Sequence, residues 1–450
     1  MQKWSLELQP DTNYFFSLLG PRFDVMNRRM GKSLAKRFGG EWKPINIYNA
    51  MPNKQYREDA FLLVNNGEED IWERAGRYTI RLPEYEDLNQ LFVSSAVVSA
   101  AVERLQAQQS CIPVYSFTSS FFDATDKRFT LLGPDPGIAT HYDSKINHYR
   151  LFEQLGLPAI PGRVLSAREF DRHIKEMIPC FVSSTFTSGG NESRYVFDQR
   201  DWQALRGQLR KVNRNAPILA TTLLDPIAYS LNVNVLVADR DATHTLVVSR
   251  QIMRGRRYLG NLYPANISKE MEREIVRITQ RVGDALSQEG FRGLFGLDFL
   301  VDMDGVVYVV DLNPRRQGGY ACNALALEQM GVSLTDHELA CALDGVTTLN
   351  ASYEAMQFPH AWAHSKVRPE RSGSLWHNVH KGSLEDVFAK APHKFTTLFY
   401  EPGSFFFDGC IGYIAASGDI RDVEVFAYKR SDELLTSVFS PRSLEGLPFV

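Results

Sequence analysis

The sequence predicts a protein of mixed α/β and α+β class that is built from several units. Its 450 residues exceed what one hydrophobic core usually organises. Near the N-terminus, short β-branched or aromatic runs alternate with helical stretches, which is typical of an open α/β domain. Beyond residue 346, short apolar runs indicate antiparallel strands in a separate C-terminal region.

The composition favours small-molecule chemistry. Apolar residues make up 44% and charged residues 23% of the chain, close to the average for soluble globular proteins. Fifty basic residues nearly balance 53 acidic ones, so no global positive field exists to attract nucleic acid or anionic lipid. No signal-peptide or membrane-spanning apolar run is visible, and the five cysteines are scattered singly. We therefore expect a cytoplasmic protein without nucleic-acid or membrane partners, with a homodimer left open.

The predicted first domain covers residues 1–135 and is an open α/β domain. A turn-rich segment from Leu131 to Gly137 ends it. Its predicted elements are strands at 45–48, 61–64, 78–82 and 112–117, and a helix over 88–108.

The predicted central domain covers residues 136–345, and the C-terminal region covers 346–450. Ser144 can cap a helix that runs to about Leu155, and an amphipathic helix follows Ser268. The other predicted elements are helices at 167–176 and 200–211 and strands at 180–184, 231–237, 394–400, 411–416 and 423–428.

The most informative stretch runs from Gly293 to Arg315 and reads as two strands around an Asp-Gly turn. If Asp304 and Gly305 are the centre of a type I′ turn, Asp298 lies opposite Asp311. Opposed carboxylates repel each other unless a cation neutralises them.

Asn313 points from the same face as Asp311, so the hairpin offers only hard oxygen ligands, which suit Mg²⁺ bound to nucleotide phosphates. Arg315 then supplies a positive fork for phosphate or carboxylate oxygens. The alternative is an ordinary hairpin with solvated aspartates, because a register shifted by one residue would separate the two carboxylates.

Residues 293–315 resemble the metal-binding signature of the ATP-grasp superfamily, and about residues 130–345 resemble its carboxylate-amine ligases for amino acids or peptides. The resemblance implies an ATP-grasp fold in which two α+β subdomains clasp ATP, preceded by a pre-ATP-grasp domain. It makes Asp298, Asp311 and Asn313 the magnesium ligands and Arg315 a catalytic residue facing phosphate or substrate.

The same resemblance implies an ATP-binding set upstream of the signature. Lys145, at a helix start, is expected to contact phosphate, and the positive end of that helix supports an anion there. Ser183 stands where the family usually has a second phosphate lysine. Further expected nucleotide contacts are Ser188, Gly189 and Gly190 in a glycine-rich loop, and Leu223 and Asp225 near adenine and ribose.

The remaining expected site residues face the substrates. Arg257 is expected to act with Arg315 on an acyl phosphate, because bidentate donors match carboxylate and phosphate shapes. The tentative substrate-binding residues are Arg254, Arg256, Arg316, Gln317 and Gly318. For the arginines around residue 255, a solvated basic loop is the alternative.

Together these features predict an ADP-forming ligase that uses ATP and Mg²⁺, with Mn²⁺ as an alternative ion. A carboxylic acid would become an acyl phosphate, and an amine would then capture the acyl group in an amide bond. Two alternatives stay open: a carboxylase or thiol ligase of the same superfamily, and a module that binds ATP without turnover.

Overall fold

The computed structural model describes most of the chain. The described residues are 8–19, 23–48, 60–64, 85–123, 125–185, 193–212, 217–239, 242–254, 257–347, 349, 352–358, 360–367, 374–375, 384–389, 394–399, 405–406 and 412–426. No helix within these residues is long and apolar enough to cross a membrane.

Strands and helices alternate in the first third of the chain, and long strands dominate afterwards. The strands are β1 Thr12–Leu18, β2 Glu41–Tyr48, β3 Phe61–Leu63, β4 Pro113–Ser116, β5 Thr130–Leu131, β6 Gly162–Ser166, β7 Cys180–Ser184, β8 Ser193–Val196, β9 Pro217–Thr222, β10 Ile227–Val237, β11 Thr243–Arg254, β12 Arg257–Tyr263, β13 Gly293–Asp302, β14 Val307–Asn313, β15 Ala361–Val367, β16 Ser374–Leu375, β17 Lys394–Phe399, β18 Phe405–Phe406 and β19 Gly412–Gly418. The helices are α1 Asp24–Phe38, α2 Tyr85–Ser94, α3 Ala96–Gln106, α4 Pro136–Tyr142, α5 Lys145–Gln154, α6 Ala167–Met177, α7 Gln199–Val212, α8 Lys269–Gln288, α9 Tyr320–Gln329, α10 Leu334–Asp344, α11 Leu384–Ala389 and α12 Ile420–Val425.

The N-terminal domain is an open parallel sheet with the strand order β3-β2-β1-β4-β5. Phe16, Ile47 and Val114 lie in its core with residues of α2 and α3. The α/β prediction is therefore confirmed. The predicted helix over 88–108 is two helices, because Ser95 takes an extended conformation between α2 and α3. The predicted strand at 78–82 lies outside the described residues.

A four-stranded antiparallel sheet, ordered β6-β9-β7-β8, forms the first half of the central region. Helices α6 and α7 pack on it through Phe170 and Trp202, whose ring centroids are 4.3 Å apart. Ser166 and Glu169 form a capping box that fixes the start of α6. The predicted elements at 167–176, 180–184 and 200–211 are thus confirmed to within two residues.

The largest sheet has eight strands in the order β14-β13-β10-β11-β12-β15-β19-β17. Helix α8 packs on one face, with Ile275, Ile278, Val282 and Leu286 completely buried, as its apolar stripe predicts. The opposite face carries polar side chains on the central strands. On that face Asp298, Asp311 and Asn313 come together.

Three of the C-terminal strands, β15, β17 and β19, extend this sheet, whereas β16 and β18 pair with each other in a separate two-stranded antiparallel sheet. Strand β15 pairs with β12, and β19 then pairs with both β15 and β17, all antiparallel. The predicted strand at 423–428 is wrong over its described part, because residues 420–425 form α12. Asp419 caps that helix by accepting a hydrogen bond from the Arg421 N–H at 2.9 Å.

Candidate active site

The hairpin of β13 and β14 brings the two predicted carboxylates together, as their Cα atoms are direct partners in the ladder. The predicted register at Asp298 and Asp311 is therefore confirmed. The predicted turn is wrong. The loop closes between Asp302 and Val306 through three residues, with Gly305 at φ +82°, which is a three-residue hairpin loop instead of a two-residue type I′ turn.

A β-bulge restores the register that the three-residue loop would have shifted. Val309 lies opposite Phe299 while Asp311 lies opposite Asp298, so Val310 is an extra residue on β14. Without this bulge, Asp311 would take the orientation of Val309 and point into the apolar core. The bulge therefore keeps Asp311 on the polar face.

Amide side chains surround Asp298. Its Oδ1 accepts hydrogen bonds from Asn232 Nδ2 at 2.6 Å and from Gln251 Nε2 at 3.0 Å. Its Oδ2 accepts one from Asn313 Nδ2 at 3.2 Å. Asn234 in turn donates to the Asn232 side chain at 3.1 Å. Neighbouring strands β10, β11 and β14 thus fix the orientation of this carboxylate.

Asp311 faces the start of helix α5. Lys145 Nζ lies 2.5 Å from its Oδ1, and His148 Nε2 lies 3.5 Å from the same atom. Ser144 caps the helix by accepting from the Asn147 N–H at 3.4 Å, which places Lys145 in the first turn as predicted. A segment about 165 residues upstream in the sequence thus supplies a cation to the hairpin.

The two opposed carboxylates differ in their electrostatic surroundings. Burial, with the charge of Asp311 added, raises the pKa of Asp298 to about 6. Burial also acts on Asp311, but Lys145 and Arg315 hold the pKa of Asp311 below its usual value. Burial lowers the pKa of His148 to about 4, so its imidazole is neutral at pH 7.

Arg315 completes the cluster. Its guanidinium donates to Asn313 Oδ1 at 2.8 Å and lies 5.4 Å from the centre of the Phe117 ring. Asp143, which precedes the cap of α5, is a third carboxylate here. Burial raises its pKa, and the charges of Arg315 and Lys145 oppose that rise.

The donor set fits a magnesium ion that phosphate oxygens help to bind. Asp298, Asp311 and Asn313 present carboxylate and amide oxygens from one surface, which Mg²⁺ prefers. Within the described residues, no three His, Cys, Asp or Glu side chains cluster as a metal site. A protein cage that completes the coordination is therefore not visible there, and Mg²⁺ commonly keeps waters and substrate phosphates as its other ligands.

The prediction that Arg316 binds substrate is wrong, because its guanidinium is not available to a substrate. It is 5% exposed and lies 2.7 Å from Glu338 Oε1. It also donates to the carbonyl oxygens of Ser116 and Leu132. Arg316 therefore joins the N-terminal domain to helix α10 inside the protein.

Gln317 and Gly318, which follow Arg316, pack closely against strands β13 and β12. Gln317 is buried, and its amide lies so close above Gly296 that a Cβ at position 296 would be 1.9 Å from it. Gly318 passes beside Tyr258, whose hydroxyl would be 2.5 Å from a Cβ at position 318. Only a glycine allows that approach without a shift.

The predicted nucleotide residues are only partly described. Ser183 lies on β7, and its buried hydroxyl accepts from Ser193 at 3.2 Å, so it belongs to the interior of the small sheet. Leu223 and the exposed Asp225 lie in the segment that joins the small sheet to the large one. The predicted loop residues Ser188, Gly189 and Gly190 lie outside the described residues, as do Arg256 and the side chains of Arg254 and Arg257.

Sequence reasoning missed the amides that hold Asp298. Asn232 and Asn234 alternate with valines inside a predicted strand, and this period-two pattern could have identified them as one polar face. His148 carried no comparable signal, because its role arises only from a long-range contact.

A family model for the ATP-grasp domain matches residues 142–319, which include Lys145 and the whole hairpin. Residues 142–319 therefore match the ATP-grasp domain family. A butirosin acyl-carrier-protein L-glutamate ligase of Niallia circulans is 23% identical over 193 residues, which are 41% of this chain and 46% of that protein. The chain thus matches about half the length of this relative.

Solved ATP-grasp structures share the fold over nearly the whole chain. An L-amino acid ligase from Bacillus licheniformis matches with a TM-score of 0.62 at 15% identity, covering 96% of this chain and 98% of that one. The biotin carboxylase domain of a Hydrogenobacter thermophilus 2-oxoglutarate carboxylase, solved with MgADP, also has a TM-score of 0.62, at 14% identity and with 89% and 85% covered. The ATP-grasp fold predicted from the sequence is therefore confirmed.

Proposed function

We propose that the protein is an ATP-dependent, ADP-forming carboxylate-amine ligase. The observation that carries the proposal is the single polar surface on which Asp298 faces Asp311. Lys145 contacts Asp311, Asn313 contacts Asp298, and Arg315 contacts Asn313. The Niallia circulans relative is named as a ligase of L-glutamate and an acyl-carrier protein. An amino acid is therefore the first acid to test, and a carrier protein is one acceptor to test beside free amines.

Each charged residue has a distinct proposed role. Asp298, Asp311 and Asn313 would hold Mg²⁺, which neutralises phosphate charge when bound. Lys145 would move from Asp311 to a phosphate oxygen, at the positive end of helix α5. Arg315 and Arg257 would hold the transferring phosphoryl group and the acyl phosphate. Tentative nucleotide contacts remain Ser188, Gly189, Gly190, Leu223 and Asp225.

The proposed reaction needs alignment more than a protein nucleophile. An oxygen of the substrate carboxylate attacks the γ-phosphorus, the bond to the β,γ-bridging oxygen breaks, and ADP leaves. The amine then attacks the acyl carbon, and inorganic phosphate departs with a proton from the amine. Arg315 is fixed by Asn313 and by the Phe117 ring, so it can meet the developing charge without reorganisation.

The test is ADP release over a matrix of acids and amines, beginning with L-glutamate and the other amino acids. A ligase releases ADP and phosphate in steady turnover only when both its acid and its amine are present, and it then yields the amide. Bicarbonate as the acid and thiols as acceptors test the carboxylase and thiol-ligase alternatives.

Equilibrium binding of ATP tests the remaining alternative, a module that binds ATP without turnover. A module that senses ATP would bind the nucleotide with Mg²⁺ and release no ADP with any pair. Absence of both Mg²⁺-dependent ATP binding and ADP release would reject the proposal altogether.

A further inference from the structure

Asn89 on helix α2 is completely buried and bonds to three residues of one loop. Its Nδ2 donates to the carbonyl oxygen of Thr118 at 3.0 Å and to that of Ser120 at 2.9 Å. Its Oδ1 accepts from the Ser116 hydroxyl at 2.9 Å. One amide therefore uses both donor hydrogens and its acceptor to set the path of the loop over residues 116–120.

That loop leaves the carboxyl end of β4 and reaches the signature arginine. Thr118 forms an isolated antiparallel bridge with Arg315, and the Phe117 ring lies against the Arg315 guanidinium. The Arg316 N–H donates to the Phe117 carbonyl oxygen at 3.2 Å. The backbone around Arg315 is thus held from the N-terminal domain.

The backbone of Phe121, the residue after this loop, is strained. Phe121 has φ +61°, a left-handed value that bulky residues rarely adopt. Its N–H donates to Thr140 Oγ1 at 2.8 Å. Strained backbone persists where surrounding contacts fix it, and in this loop the Asn89 hydrogen bonds are among those contacts.

We propose that Asn89 is a positioning residue for the reaction, which acts through the loop over residues 116–120 to place Arg315. The inference rests on the proposed function and extends it to the N-terminal domain. Replacing Asn89 by alanine removes all three bonds, so the loop and the Arg315 guanidinium can shift together. A shift of about 1 Å in a reacting group can lower turnover by up to about a hundredfold.

Asn27 offers a matched control in the same domain. It is 2% exposed, accepts from the Ser17 hydroxyl at 2.7 Å and donates to Asn46 Oδ1 at 2.9 Å. Asn27→Ala therefore removes a buried, hydrogen-bonded amide of the same kind. Neither of these two bonds reaches the loop over residues 116–120, so Asn27→Ala should lower thermal stability and leave kcat unchanged.

The experiment is a double-mutant cycle on the full chain, with ADP release and the ATP KM measured for wild type, Asn89→Ala, Arg315→Lys and the double variant. If Asn89 acts through Arg315, Asn89→Ala lowers kcat with little change in ATP KM, and it adds no further loss in the Arg315→Lys background. Losses that multiply in the double variant, or an equal loss of kcat in Asn27→Ala, would overturn the inference.

Hydrogen exchange separates this inference from the proposed function. The Arg316 amide hydrogen bonds to Phe117, so a peptide containing residue 316 should exchange faster in Asn89→Ala than in Asn27→Ala. This measurement needs no substrate. If the wild type shows no turnover, the proposed function fails while unequal exchange still supports the positioning role, and equal exchange in both variants refutes that role.

Discussion

Asp311→Asn is the sharpest test of the metal site, because it removes one charge and keeps the shape of the side chain. In the wild type, Asp311 repels the opposed Asp298 and attracts Lys145 at 2.5 Å. Directly opposed side chains have Cβ atoms about 5 Å apart, and two unit charges at that distance interact by about 3 kcal/mol at an effective dielectric constant of 20.

The lost repulsion and the lost attraction are of the same order and opposite sign. The side chains of Lys145 and Asp311 are 17% and 20% exposed, so solvent screens both interactions only in part. At the same dielectric constant the attraction over 2.5 Å is about twice the repulsion, so we expect the free energy of unfolding to fall by at most about 3 kcal/mol. Turnover should fall by at least about a hundredfold, because even residues that only support a metal ligand cost about 10- to 100-fold when they are replaced.

The assay is ADP release as a function of Mg²⁺ concentration, with thermal unfolding measured in parallel. Asp302→Asn is the matched control on the same hairpin. Asp302 Oδ1 accepts from the N–H groups of Asp304 at 3.0 Å and Val306 at 2.8 Å, and an asparagine oxygen can accept both bonds. The control should keep wild-type turnover. Undiminished turnover in a stably folded Asp311→Asn protein would refute the metal assignment.

Three further substitutions test other parts of the site. Lys145→Met should raise the ATP KM by roughly tenfold to a hundredfold, because it removes a charged hydrogen bond worth about 1.5–3 kcal/mol. An unchanged KM would contradict the phosphate role. Arg316→Met leaves Glu338 buried without its cation, so the free energy of unfolding in urea should fall by about 3–5 kcal/mol. A loss of turnover with wild-type stability would instead support the substrate role for Arg316. Gly260→Ala would place a Cβ 1.8 Å from the His364 backbone oxygen, so pairing of β12 with β15 should weaken and Tm should fall; an unchanged Tm would contradict this geometry.

The hairpin shows how far local sequence can predict this site. The pairing of Asp298 with Asp311 followed from an assumed two-residue turn, but the real loop has three residues. Val310 compensates as a bulge, and the pairing is the same. Bulges depend on contacts with neighbouring strands, so a pattern of residue types in one hairpin does not reveal them.

Arg316 shows what local sequence cannot predict. It follows Arg315 directly, and both residues look equally suited to anions. Arg315 faces the polar surface, whereas Arg316 turns inward to Glu338 on α10 and to carbonyl oxygens of the N-terminal domain. The difference arises from partners 22 to 200 residues away in the sequence. Only the folded chain distinguishes the catalytic candidate from the structural one.

In the proposed site, the contact between Lys145 and Asp311 would link the binding of metal and nucleotide. One carboxylate oxygen of Asp311 cannot keep the ammonium group at 2.5 Å and also bind a divalent cation, because the two positive charges would repel each other. A phosphate oxygen that draws Lys145 away therefore exposes Asp311 to the metal, and a metal bound at Asp311 releases Lys145 for phosphate. Coupling of this kind is reciprocal, so Mg²⁺ must strengthen ATP binding by the same factor as ATP strengthens Mg²⁺ binding. If the proposed roles of Asp311 and Lys145 hold, the site would thus favour the two ligands together over either one alone.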